Sequence, residues 1–222
     1  MRTRAFTLVE LLVTVAVIAV LVGILVPAMG SVRREAQNAT CLSHLRQDFV
    51  AIDSFRQQNA GRLPICDFLP VVTDAGIDGG LPRYLAGYMP AESQSWLCPA
   101  DTDEESLATG TSYLYMPGLL RYTPAVQAKV VSLLMSSGPG TSPAELERLR
   151  RESEATAMTA FYEVQGQRYA LLSDSQDRHP RSGSERNGVY VDGSARVAFR
   201  PKEDPKVLEA AGVDPAGAGD GP

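Results

Sequence analysis

The chain has 222 residues, 44% of them hydrophobic, and a formal net charge of −5; that suffices for one modest core with appendages. No Lys/Arg-rich run offers a nucleic-acid face, so nucleic acid is set aside as a partner. Three cysteines without a CxxC pair, and only two histidines, argue against a ribbon- or finger-type zinc site.

From Leu11 to Val32 there is no charged residue, and about 22 helical residues are enough to span a bilayer. Arg2 and Arg4 before this run favour a cytoplasmic N-terminus, while Arg33 and Arg34 after it weaken the bias. Glu10 is the anomaly, since an acid at a bilayer centre costs roughly 2.5–3.5 kcal/mol. A secretory signal peptide cut near Ala28-Met29-Gly30 leaves the length of the run and the acid unexplained. A plain membrane anchor explains the length but not Glu10.

A third reading accounts for both. The stretch Ala5-Phe6-Thr7-Leu8-Val9-Glu10-Leu11-Leu12 resembles the processing site of type IV prepilins and type II secretion pseudopilins. The resemblance implies that Met1–Ala5 is a leader removed by a prepilin peptidase/methyltransferase, with cleavage between Ala5 and Phe6 and N-methylation of Phe6. It implies that Glu10 meets the new Phe6 amine of a neighbouring subunit during filament assembly, which offsets the desolvation of both charges. Other pilin-like subunits and the inner-membrane assembly platform are the implied partners. Pro27 falls where such pilins carry a helix-softening proline. Ala5 stands where the family has Gly, which implies slower processing.

Residues 6–30 are thus expected as the transmembrane and assembly helix, and residues 31–60 as an amphipathic stem continuing it. Leu42, Leu45, Phe49 and Ile52 lie at helical spacing on one face. Gly61 and Pro64 mark the stop. The stretch "REAQNATCLSHLRQ" is similar to the stem of pilin-like proteins of planctomycete-type bacteria, which end in His, about nine residues, then Asp-Gly. Here His179 leads to Asp192-Gly193 with twelve residues between, implying a longer loop at Arg181–Glu185. "WLCPADTDEE" and "TSYLYMPGLL" resemble further stretches of that group.

The head, residues 61–200, reads as α+β: a long N-terminal helix packed on a small antiparallel sheet with an inserted helical pair. "TSYLYM" is a short strand, and "GVYVDGSARVAF" a hairpin turning on Asp192-Gly193. "TAFYEVQGQRYALLS" reads as a second hairpin about Gln165-Gly166-Gln167. Thr123-Pro124 opens one helix, and the capping box Ser142-Pro143-Ala144-Glu145 opens another, Leu146 to about Ala157. Residues 201–222, rich in Pro, Gly and Asp, read as a disordered tail.

Chemistry in the head is expected to be sparse. Asp174, Asp177, His179 and Asp192 have the types for a metal or proton site if they converge; the simpler expectation makes Asp192 a turn residue and His179 a loop tie. Asp101, Asp103, Glu104 and Glu105 suit Ca²⁺ by type but lack the spacing of a calcium loop, so a solvated acidic loop is expected. No metal or other cofactor is therefore assigned, with Asp101, Asp103, Asp174 and His179 the only candidates. With the head outside the cytoplasm, Cys66 and Cys98 are the expected disulfide, and Cys41 a small buried hydrophobe at the edge of the stem stripe. Trp96 reads as a core residue. The function expected is that of a non-enzymatic pilin-like subunit, single-pass in the inner membrane with an extracytoplasmic head. Two rivals are a tethered ligand- or metal-binding module that never polymerises, and a tethered hydrolase using His179 and an Asp.

Overall fold

The computed structural model describes residues 8–74, 76–136, 140–179 and 186–199. The expected Ala5–Phe6 cleavage site, the expected loop at Arg181–Glu185 and the expected tail, residues 201–222, lie outside them.

Helix α1, Leu8–Gln58, is 51 residues long. It ends where Ala60 turns left-handed (φ 55°), and the Gly61 N–H donates back to the Arg56 carbonyl at 2.8 Å. Its two arms, Leu8–Ile24 and Met29–Gln58, meet at 45°, and Pro27, which has no N–H for the ladder, falls in the break. Among the described residues no single helix is long and apolar enough to cross a membrane; only this bent pair passes together. The expected span over residues 6–30 is thus divided at its C-terminal end. Every residue from Leu8 to Ile24 is exposed.

Burial begins on the second arm, and not quite where periodicity put it. The buried face is Cys41, Leu45, Asp48 and Ile52, with Phe49 half-buried and Leu42 at its edge. This face packs on the 3₁₀ turn Gln94–Trp96 and on the last two strands of the main sheet. Leu45 and Ile52 are buried as expected, while Cys41 and Asp48 take the places of Leu42 and Phe49, because the face admits a thiol and a carboxyl that an apolar count omits.

After α1 come the two-stranded hairpin β1 (Val71–Thr73) and β2 (Gly76–Asp78) and the short helices α2 (Gly80–Tyr84) and α3 (Glu104–Thr109). Strand β3 (Tyr113–Tyr115) leads into α4 (Met116–Leu120), α5 (Pro124–Ser136) and α6 (Pro143–Gln165). Strands β4 (Leu172–Asp174), β5 (Arg186–Val189) and β6 (Ala195–Phe199) complete an antiparallel sheet in the order β3-β4-β5-β6. The fold is α+β, as expected, with the helical pair α5–α6 inserted between β3 and β4. Trp96, Tyr113, Tyr115, Leu45, Ile52, Leu85, Leu171 and Val189 form the core, each worth roughly 1.5–3 kcal/mol over exposure if large and apolar.

Two expectations are corrected. Helix α6 runs on to Gln165, so "TAFYEV" is not a strand: Ala155, Met158 and Tyr162 lie at helical spacing and are buried. Aromatic, β-prone residues thus join a helical stripe because the core they meet lies on one side. The β5–β6 turn is also longer than two residues. Pairing ends at Val189↔Ala195, and Gly193 (φ 79°) sits at the tip where a Cβ would fall 2.9 Å from a ring carbon of Phe49 on the stem. The hairpin tip therefore rests on α1.

Candidate functional site

Two regions carry the sequence-predicted site residues. The first is the exposed apolar arm of α1, on which Glu10 lies exposed; Ala5 and Phe6 precede the described residues. The second lies at the first turn of α1 that the head buries.

There Cys41 from α1, Cys98 from the loop after the 3₁₀ turn, Asp174 at the end of β4 and His179 just beyond it converge. One ligand-type atom from each lies within 4.8 Å of all the others, and all four residues are buried. Cys98 Sγ is 3.1 Å from His179 Nε2. The Cys41 thiol faces Asp174 Oδ1 at 3.7 Å and the Tyr113 hydroxyl at 3.5 Å.

The local sequence explains each placement. Antiparallel pairing sets Asp174 opposite Tyr113, so both side chains point to one face of the sheet, toward the stem. The Asn187 backbone N–H donates to Asp174 Oδ2 at 2.9 Å, and its side chain donates to Asn38 of α1 at 2.7 Å. The Cys98 loop is held to the stem on both sides: His44 Nδ1 meets the Leu97 carbonyl at 2.9 Å, and Gln37 donates to the Pro99 carbonyl at 3.0 Å. The Cys98 N–H donates to Ser112 Oγ at 2.9 Å. His179 follows Arg178, whose buried guanidinium pairs with Asp101 at 2.8 Å and donates to the Ser112 carbonyl.

The centre is electrostatically crowded. The adjacent Cys98 thiol and burial push the Cys41 thiol far up, and burial raises the Asp174 carboxyl to about 6. Burial pulls His179 down, but Cys41 and Asp174 outweigh it and leave the imidazole above its ordinary value. Three anions do not coexist here unaided, so protons or a cation must balance them. The donor set of two thiols, an imidazole and a carboxylate is one that divalent transition metals take.

Several expectations change accordingly. All three cysteines are free, and the expected Cys66–Cys98 disulfide is absent, because Cys98 turns to His179 and Cys41 while Cys66 is buried elsewhere in the core. Of the four weak metal candidates only Asp174 and His179 come together. Asp101 takes Arg178 and Ser112 Oγ (2.5 Å), and Asp103 caps α3 by accepting from the Ser106 N–H at 3.0 Å. Neither is poised for calcium. Asp177 pairs with Arg186 at 2.9 Å, and Asp192 accepts from the Ser194 N–H and hydroxyl within its turn. The two cysteines of the centre were legible only together: "ATCLSHLRQ", "WLCPAD" and "RHPRSG" each supply one donor from a different stretch.

With both regions described, comparison with known families decides one point. Residues 1–26 match the prokaryotic N-terminal methylation motif. That motif supports a type IV pilin-like precursor, processed by a prepilin peptidase and anchored by its N-terminal segment. No curated protein and no solved structure matches the chain.

Proposed function

We propose that this pilin-like chain is a structural subunit, inserted in the inner membrane, cut between Ala5 and Phe6, and assembled through α1 into a type II secretion pseudopilus or a type IV pilus-like filament. The observation that carries the reading is the exposed apolar arm Leu8–Ile24, which lies within the methylation motif. An exposed apolar surface of that length needs lipid or other helices to cover it, and a filament core of α1 helices supplies such cover after the bilayer has been left. Glu10, exposed on that arm, is the residue assigned to the Phe6 amine of a neighbour. The head lies outside the cytoplasm and acts without catalysis. The similarity of the stem, the Cys-Pro stretch and the His179…Asp192-Gly193 stretch to planctomycete-type pilin-like proteins supports placing the chain in that subgroup.

Mass spectrometry of the membrane-extracted chain tests this. The expected mature N-terminus is N-methyl-Phe6. An intact Met1, or a terminus after Gly30, overturns the reading.

A further inference from the structure

The centre at Cys41, Cys98, Asp174 and His179 has no part in processing or in the α1 contacts of a filament. Among the described residues it is the group of thiol, imidazole and carboxylate side chains whose donor atoms converge, and all four residues are buried. We propose that it is a closed structural site for a zinc-class divalent metal, which ties the stem to the head.

Geometry supports this first. A tetrahedral ion with metal–sulfur bonds of about 2.3 Å and metal–nitrogen or –oxygen bonds of about 2.0 Å has S···N and S···O edges near 3.5 Å and an S···S edge near 3.8 Å. The Cys98 Sγ···His179 Nε2 distance is 3.1 Å and Cys41 Sγ···Asp174 Oδ1 is 3.7 Å. Seating the ion therefore needs movements of a few tenths of an ångström on those edges. Four protein donors fill a tetrahedron, leaving no open position, which is the pattern of structural sites.

Chemistry narrows the ion. Two sulfur donors select against Ca²⁺ and Mg²⁺ and for zinc-class ions. Two thiolates, a carboxylate and a neutral imidazole sum to −3, which a divalent ion reduces to −1. The outer partners are in place: the Asn187 N–H holds Asp174 Oδ2, leaving Oδ1 turned to Cys41, and the Tyr113 hydroxyl meets Cys41 Sγ. Such partners fix donor orientation and basicity.

Topology gives the consequence. The donors come from α1, the Cys98 loop and the β4 end, segments distant in sequence. A metal there closes long loops at once, and its binding is coupled to folding.

The test uses the full chain, extracted in detergent without chelator. The expected result is one zinc per chain by elemental analysis. Exchange with Co²⁺ should give thiolate charge-transfer absorption and the visible bands of a tetrahedral ion. Cys98→Ser should weaken Co²⁺ binding by more than the roughly 10–100-fold typical of losing an outer partner. Cys66→Ser, a buried thiol outside the centre, should keep the metal. Because Cys98→Ser can misfold, the wild-type measurements stand alone as the decision. A metal-free wild-type chain overturns the proposal in either form: with Cys41 and Cys98 joined as a disulfide, or with both thiols free and no cobalt–thiolate band.

Discussion

Asp48 offers a sharp quantitative test of the stem–head packing. Its carboxyl lies on the buried face of α1 against the 3₁₀ turn, fully buried, and neither oxygen has a hydrogen-bond partner among the described residues. Ser95 is close, but its hydroxyl is engaged with Met89 Sδ and Ser93 Oγ, each at 3.0 Å. Burial therefore pushes the carboxyl well above its ordinary range; the nearby Ser95 pulls the other way and Cys41 adds to the rise. A carboxyl whose pKa is higher folded than unfolded holds its proton longer in the native state. Its stabilising contribution is complete below the unfolded value and declines as pH climbs toward the folded one, by about 1.4 kcal/mol per pH unit. Asp48→Asn mimics the protonated form at every pH. The stability difference between variant and wild type, from denaturant unfolding in detergent, should thus shift in favour of Asn as pH rises above the ordinary carboxylate range, by up to about 1.4 kcal/mol per pH unit over the interval below the folded value. Asp174, also raised, is present in both proteins and cancels in the difference. A difference that stays flat across that interval would refute the reasoning, because it would mean Asp48 is ionised in the folded chain.

Arg121 bridges Glu154 (3.0 Å) and Asp67 (2.9 Å), and the Glu154 side chain is 1% exposed. Among the described residues, Arg121→Ala leaves that carboxylate with Arg150 alone, at 3.5 Å, and should cost about 3 kcal/mol. The pair Arg121→Met with Glu154→Leu should recover most of it in the same unfolding assay; a single-variant loss below about 1 kcal/mol contradicts the burial argument. Gly118 in α4 lies against the backbone of residues 67 and 68, where a Cβ would sit 2.5 Å from the Phe68 nitrogen. Gly118→Ala should therefore cost about 1–3 kcal/mol, and a neutral result would show that α4 can move away. Glu10→Ala should leave head unfolding and Ala5–Phe6 cleavage unchanged while removing the chain from sheared filaments; wild-type incorporation would sink the assigned pairing.

How much of this was legible depends on which interactions are local. The end of α1 near Gly61 and the cap at Ser142 are decided within a few residues, so sequence reads them. Strand β3 and the β5–β6 hairpin follow from alternation and a turn signal. The length of α6 was not legible, because Phe161 and Tyr162 favour strands by type and only the core they meet makes them helical. The metal-type centre was half legible. Asp174 and His179 are close in sequence and were grouped, together with Asp177 and Asp192, which the structure sends to Arg186 and to a turn. Cys41 and Cys98 lie on other elements, and nothing local says that a stem thiol faces a head loop. The expected Cys66–Cys98 pair rests on compartment alone, which says nothing of distance, and the fold does not make it.

The position of that centre on the stem has a mechanical meaning. Along α1 from the N-terminus, Cys41 is the first buried residue among those whose burial is described; the others before it are exposed or half-buried. The head also holds Gln37 and Asn38 by hydrogen bonds, so any load carried from the N-terminal arm into the head enters the interface at the single turn from Gln37 to Cys41. Separation of helix from sheet under such a load proceeds as peeling from this end, since each turn is released only after the one before it. A cross-link at the leading edge must break before Leu45, Asp48 and Ile52 are exposed, whereas the same bond near Gln58 would act only once those contacts were gone. The side chains beyond Cys41 are poorly suited to that task alone, because Asp48 interrupts the apolar face. A stem with a buried carboxyl, and the filament assembly proposed above, in which neighbours draw the subunit from the membrane, both call for the strongest contact at the first turn, and that is where the thiols, the imidazole and the second carboxylate meet.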